Sequence, residues 1–349
     1  MQGPTVSVDL GKNIFEVAVA DESWQVTERH RLSRARFGRF FATRPACRVV
    51  MESCGTAHYW ARRLVASGHE VALLPAQYVR AYVRRNKTDR ADASALIEAF
   101  RCSDIQHVPV KTVEQQQIQA LHRVRAQWMN TRCSRINALR GVLREFGIVI
   151  PLGPEMAKAR VAEALEDAEN ELPIGLRSFL AEMLEEIREL EARIARTEVQ
   201  LREFTRSDEV VRRLQSLPGI GLLTSTALRA SVVDVQRFPS GRHFASWIGL
   251  TARETSSAGR RRLGRISKQG DVYLRTLLIH GARSALVAAH VARRRERPLH
   301  RLQEWALACE KRRGRNRAAV ALANRLARIV WATWKYQRPF DGNWTAKSA

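Results

Sequence analysis

Two runs near the N-terminus alternate at period two, Thr5-Val6-Ser7-Val8-Asp9-Leu10 and Ile14-Phe15-Glu16-Val17-Ala18-Val19, with only Gly11-Lys12-Asn13 between them. Strands joined by so short a gap close as a β-hairpin. Arg48-Val49-Val50-Met51-Glu52 is a short apolar run, apt for a buried strand, that ends on a carboxylate. A helical stretch over 56–67 follows, closed by Gly68, and His69 to Pro75 gives a further strand. The order β-β-…-β-α-β predicts an α/β domain built around a mixed sheet.

Two acids, Asp9 and Glu52, therefore sit in or just after core strands. Two more, Asp89 and Asp92, lie in Lys87-Thr88-Asp89-Arg90-Ala91-Asp92-Ala93, a segment that opens a helix. Their i, i+3 spacing puts both carboxylates on one helical face. Carboxylates brought together repel unless a cation intervenes, and hard divalent ions such as Mg²⁺ prefer oxygen ligands. Two metals held this way assist phosphoryl transfer. A plainer reading stays open beside it: Asp9 caps a turn, and Asp89 and Asp92 are first-turn acids favoured by the helix dipole. Cys54, Cys102 and Cys133 read as small core residues, since no partner spacing supports ligation.

Residues 113–147 lack proline and carry Ile118, Leu121, Val124, Trp128, Ile136, Leu139 and Leu143 at helical spacing, a long basic amphipathic helix ending at Gly147. After Pro151 and Pro154, Leu180, Met183, Ile187, Leu190, Ile194, Thr197, Leu201 and Phe204 repeat at 3-4 spacing. That seam specifies a coiled coil, within one chain or between chains; a plain helix on the protein's own core is the alternative.

The charge balance divides the remainder. Lys and Arg total 59 against 35 Asp and Glu, for a net +24. Residues 1–105 carry net +5, 106–150 net +5, 151–210 net −7 and 211–349 net +21. A polyanion, above all nucleic acid, is the expected partner, and its affinity should lie chiefly in the last segment. There, Leu217-Pro218-Gly219-Ile220-Gly221 between two apolar runs has the form of a helix-hairpin-helix. Gly219 and Gly221 permit a tight turn, and the second helix offers its N–H groups to a phosphate; a plain αα-hairpin is the alternative. Farther on, Ser256-Ser257-Ala258-Gly259-Arg260-Arg261-Arg262-Leu263-Gly264-Arg265-Ile266-Ser267-Lys268 sets two serines in a cationic loop, with Asp271 placed to cap the next helix. Such a loop suits a phosphodiester: cations neutralise its oxygens and a serine hydroxyl attacks phosphorus. Arg312 and Arg313, in Lys311-Arg312-Arg313-Gly314-Arg315-Asn316-Arg317, extend the phosphate-binding surface ahead of an Ala-rich final helix.

With 349 residues and 45% apolar content the chain can bury a core, and two or three domains are expected. No apolar run of about 18 residues suggests a membrane span, and the first residues do not read as a secretory signal. Five cysteines without a CxxC pair point to neither a disulfide framework nor a zinc ribbon, so a reducing, cytoplasmic compartment fits.

The ordered set Val8-Asp9-Leu10-Gly11-Lys12, Met51-Glu52-Ser53-Cys54-Gly55-Thr56, Lys87 to Ala93, Leu217 to Gly221, Gly249-Leu250-Thr251 and Ser256 to Gly259 resembles the DEDD transposases of bridge-RNA-guided insertion sequences, related to the Piv DNA invertases. The resemblance spans almost the whole chain. It implies α/β plus α architecture: a RuvC-like (RNase H fold) domain over 1–110 with metal-binding acids Asp9, Glu52, Asp89 and Asp92, a helical coiled-coil region over 111–210, and a C-terminal transposase domain over 211–349. It further implies Mg²⁺, a nucleophilic serine at Ser257 with Ser256 as the fallback, and a phosphoserine-linked DNA intermediate. The implied partners are donor and target DNA, a structured noncoding guide RNA, and further copies of the chain as dimer or tetramer. Ala258 stands where the family often has glycine. Two rival functions are a RuvC-like junction nuclease that hydrolyses with water and a non-catalytic nucleic-acid-binding protein.

Overall fold

The computed structural model describes residues 3–83 and 89–343, without the side chains of Asp89 and Arg90. The chain divides into two compact units, Met1–Val113 and Glu114–Ala349.

The first unit is a five-stranded mixed sheet. The hairpin forms as β1 (Thr5–Leu10) and β2 (Ile14–Ala20), and β3 (Val26–Ser33) adds a third antiparallel strand. α1 (Arg34–Ala42), capped by the Ser33 hydroxyl, returns the chain to β4 (Arg48–Glu52). α2 (Ala57–Ala66) then crosses to β5 (Glu70–Leu74), and β4 lies parallel to both β1 and β5. The resulting order is β3-β2-β1-β4-β5. The short α3 (Ala76–Val79) and then α4 (Asp89–Phe100) complete the unit. Neither β3 nor α1 had a signature in the sequence reading, and together they form the sheet's open edge and part of one covering layer.

The sheet is buried on both faces. Val8, Phe15, Val17, Val49 and Met51 pack with Phe37 and Phe41 of α1 and Trp60 and Leu64 of α2. On the opposite face, Val50, Ala72 and Leu74 meet Ala95, Leu96 and Ala99 of α4, while Ala18 and Ala20 meet Ala93 and Ile97. Alternation along each strand assigns every side chain to one of these two layers.

The second unit is mainly helical. α5 (Val113–Glu145), α6 (Pro154–Glu166) and α7 (Ile174–Phe204) share a core in which Ile136, Leu139 and Leu143 pack with Ala157, Val161, Leu180, Leu184 and Ile187. The 3-4 seam is thus occupied by the chain's own helices. Its buried stripe runs Leu180, Leu184, Ile187, Leu190, Ile194, Thr197, Leu201; Met183 is only half-buried and Phe204 is exposed. Arg125–Glu198, Arg132–Glu191 and Arg135–Glu186 pair at 2.7, 3.3 and 2.6 Å, which sets α5 and α7 antiparallel.

The remaining core gathers α8 (Glu209–Gln215), α9 (Leu222–Ser231), α10 (Gly241–Trp247), α11 (Val272–Arg294), α12 (Arg301–Arg313) and α13 (Arg315–Lys335). A two-stranded hairpin, β6 (Ala252–Glu254) and β7 (Leu263–Ile266), projects between α10 and α11. The expected cap of α11 is present, since the Asp271 carboxylate accepts from Leu274 N at 3.0 Å. No described helix is long and apolar enough to cross a membrane.

Candidate active site

Strand register brings the acids of the first unit together. Asp9 lies directly opposite Glu16, and Val8 lies beside Met51, so the next step along β1 and β4 puts Asp9 beside Glu52. Arg31 of β3 lies opposite Glu16 in turn. Residues that face each other across a ladder point the same way, so Arg31, Glu16, Asp9 and Glu52 form one row across four strands. The Ser7 hydroxyl, two residues before Asp9, donates to Ala93 O at 2.7 Å and ties α4 to the same face. Asp92, the residue before Ala93, is half-buried at that junction, as are Asp9 and Glu52.

Like charges directly opposite each other are unfavourable. Arg31 Nε, 3.4 Å from Glu16 Oε1, offsets part of that repulsion at one end of the row. Asp9, Glu52 and Asp92 are all carboxylates, a chemistry that fits a hard divalent cation. Among the described residues no three acidic, histidine or cysteine side chains approach closely enough to hold a metal by themselves. The side chain of Asp89 lies outside the described residues; its backbone begins α4.

In the second unit the two serines lie at the tip of the β6–β7 hairpin. Arg260 N donates to Ser257 O at 3.0 Å across a tight turn whose central residues, Ala258 and Gly259, have φ of +48° and +75°. Positive φ at both central positions is the twist-matched hairpin turn, and a β-carbon there costs about 1 kcal/mol. Ser256 Oγ donates to Glu254 Oε1 at 2.7 Å and accepts from Arg262 N at 3.1 Å. The Ser257 hydroxyl has no hydrogen-bond partner among the described residues and is exposed beside Arg260, Arg261 and Arg262. Arg265 and Lys268 are exposed on the return strand and the loop after it. Arg275 Nη1, from the buried base of α11, donates to Ile248 O and Gln269 O at 2.9 and 3.2 Å and anchors both ends of the excursion.

The glycine turn joins α8 to α9. Asp208 caps α8, and its second oxygen pairs with Arg229 of α9 at 2.8 Å. Gly219 has φ +79°, and a β-carbon on it would lie 2.2 Å from Gly281 O of α11; the reverse contact is equally close. Gly219 is therefore a backbone contact to α11, whereas Gly221, the N-cap position just before α9, is exposed with open space around it. Arg312 and Arg313 are exposed at the end of α12.

Known proteins resemble the chain on both units. Residues 211–297 match the family described as Transposase IS116/IS110/IS902 family, and residues 6–148 match a DEDD family described as Transposase. A probable family 20 transposase of Pseudomonas aeruginosa is 42% identical over 94% of this chain and 95% of its own length. The chain belongs to the IS116/IS110/IS902 family of transposases. The transposase for insertion sequence element IS1111A of Coxiella burnetii is 36% identical over 96% of this chain and 90% of its own. That of IS1328 from Yersinia enterocolitica is 37% identical over 93% and 95% respectively. The enzyme is a DNA transposase, and its DEDD family is one that in general depends on a divalent metal.

The transposase holds one polar cluster that sequence reasoning missed. His122, inside α5, bonds Tyr273 OH through Nδ1 and Thr226 Oγ1 through Nε2, each at 2.9 Å. Thr226 spends its proton on Leu222 O at 2.7 Å, so Nε2 donates and Nδ1 accepts. Burial, and secondarily the Arg125 charge, lowers the pKa of His122 to about 4. Burial likewise raises that of Tyr273. The one available signal was a histidine in register with the apolar positions Ile118 and Leu121 of α5.

Proposed function

We propose that this transposase cuts and rejoins DNA by phosphoryl transfer to Ser257, with Asp9, Glu52, Asp89 and Asp92 as its metal-binding acids. The observation that carries this reading is the hairpin tip, where one serine is bonded internally and its neighbour presents an unengaged hydroxyl among three arginines. A serine hydroxyl is a weak nucleophile at neutral pH and needs activation. Mg²⁺, held by the four acids, would supply Lewis-acid stabilisation of the reacting phosphate.

In the serine step an Oγ–P bond forms as the P–O bond to one deoxyribose oxygen breaks. The hydroxyl proton passes, in net terms, to that departing oxygen. Arg260, Arg261 and Arg262 offset the charge that gathers on the phosphoryl oxygens. Attack by a second strand's hydroxyl reverses the step and rejoins DNA. In the same unit as Ser257, the exposed Gly221 turn at the start of α9, with Arg265, Lys268, Arg312 and Arg313, holds phosphates without reading bases.

Sequence choice belongs, in this reading, to a structured guide RNA pairing with donor and target DNA in the cytoplasm. The net +21 of residues 211–349 supports a surface meant for more than one strand. The chain acts as a dimer, and as a tetramer when two DNAs are brought together. Because the α7 seam is filled from within the chain, subunits pair through other surfaces.

The test is to incubate the purified protein, its element's flanking transcript, both DNAs and Mg²⁺, and then denature. The expected product is a DNA–protein adduct that maps to Ser257. Strand exchange that proceeds without any adduct overturns the covalent step.

A further inference from the structure

Beyond the acid row, the face shared with α4 continues onto the sheet's edge strand. Arg29 lies opposite Ala18 and Arg31 opposite Glu16, so both arginines of β3 point to the side that carries Asp9 and Glu52. Both are exposed. They line a cleft of about 270 Å³ together with Glu16, Val17, His30 and Ala93. Arg29 Nη2 donates to Ser94 Oγ at 3.0 Å, which aims its guanidinium along the start of α4 rather than outward. On the other side of β3 the contacts differ: His30 and Arg44 both reach Glu28, at 2.8 and 2.7 Å.

We propose that Arg29 and Arg31 form a phosphate-binding cleft that seats the DNA strand being cut, one flanking phosphate away from the acids. The proposal rests on the reading of the acid row as the place of phosphoryl transfer. The chemistry is specific to a backbone phosphate. A guanidinium presents paired N–H donors that match phosphate oxygens, and a row of carboxylates repels a polyanion unless fixed cations adjoin it. Arg31, exposed and 3.4 Å from Glu16 Oε1, can take up a phosphate oxygen while still facing that carboxylate, so the pair becomes a bridge and Glu16 keeps its cation. Charged residues also guard edge strands against aggregation, but that role asks only for charge at the edge, not for two guanidinia converging on a cleft beside the acids. The first unit thereby gains a DNA contact that its near-balanced charge conceals.

The experiment titrates a labelled duplex DNA oligonucleotide, and RNA of the same sequence, with the full-length protein across a salt series. Arg29→Ala/Arg31→Ala should weaken DNA binding about tenfold and lower the slope of log Kd against log salt by about 1.8, at about 0.9 per lost phosphate contact. Arg29→Lys/Arg31→Lys should keep the slope. If the double alanine variant melts early, Arg31→Ala/Glu16→Gln leaves no uncompensated carboxylate and should still lower the slope by about 0.9. Wild-type affinity and slope in the folded variants, or a loss confined to RNA, overturns the proposal. Asp9→Asn separates the two ideas: it should not nick, and adding Arg29→Ala/Arg31→Ala to it should still lower the salt slope by about 1.8. Should it still nick, the reading of the acids fails, while the arginine comparison still decides the cleft.

Discussion

Glu254 Oε1 lies 2.7 Å from the Ser256 hydroxyl, so the first of the two adjacent serines is part of the hairpin's own bonding. With Arg262 N closing the other side of that hydroxyl, Ser256 shapes the turn, and the proposed mechanism assigns the attack to Ser257. Ser257→Ala should abolish strand exchange. Ser256→Ala and Glu254→Gln should slow it by about tenfold through lost positioning. Strand exchange by each variant on one DNA pair is the measurement. Full activity of Ser257→Ala would reassign the nucleophile; retained cleavage without exchange would favour a hydrolytic enzyme.

The acid row makes a paired prediction about stability and metal. Asp9→Asn and Glu52→Gln should each eliminate nicking, because the donor set loses a charge. Each should also hold or raise the melting temperature, because a repulsive neighbour is gone. Millimolar Mg²⁺ should raise the melting temperature of the wild type and leave the variants unmoved, since only a species that binds the folded state stabilises it. A variant that still responds to Mg²⁺ would place the metal elsewhere.

His122 gives a stability–pH prediction with a definite sign. The unfolded chain takes up a proton near the ordinary value of 6.5, the folded chain only at about 4. Between those limits the unfolded state binds more protons, so stability falls as pH drops and is complete above 6.5. The limit of the effect is about 3 kcal/mol. His58 of the first unit, whose Nδ1 accepts from Lys111 N, is pushed to about 4 in the same sense, by burial and then by Lys111 and Arg62. Melting at pH 7.5 and pH 5 should differ for the wild type and less for His122→Gln. Equal differences would show that His122 is not the titrating group.

Gly219→Ala should destabilise the chain by about 3 kcal/mol or more, as its β-carbon would meet the Gly281 carbonyl and its φ is positive. Gly221→Ala, with nothing nearby, should change stability by less than about 1 kcal/mol. Thermal melts of the two variants suffice; equal melting would deny the contact to α11.

Glu52 was legible because an apolar run ends on it, and Asp9 because it stands in a strand that alternates at period two. Glu16 and Arg31 were not, although both stand in plain view. Their membership of the row depends on three strand pairings at once, and β3 itself reads as Thr-Glu-Arg-His-Arg, without the apolar alternation of a half-buried strand. An edge strand exposed to solvent leaves no such trace. The 3-4 seam of α7 was readable as a pattern but not as a partnership. Heptads state that a helix pairs; Glu186, Glu191 and Glu198 decide that it pairs with α5. Packing against two helices widened the stripe and moved one contact from Met183 to Leu184.

The α5–α7 ion pairs have a consequence for how much of the formal charge a polyanion can collect. Arg125, Arg132 and Arg135 have fixed intramolecular anions, so they neutralise few phosphates, and it is neutralised phosphates that release the nucleic acid's condensed counterions and drive association. Along this stretch the protein is electrostatically quiet despite its arginines. The entropy of binding must then come from the cations that lack such partners, and ionic strength will act on the transposase through those alone.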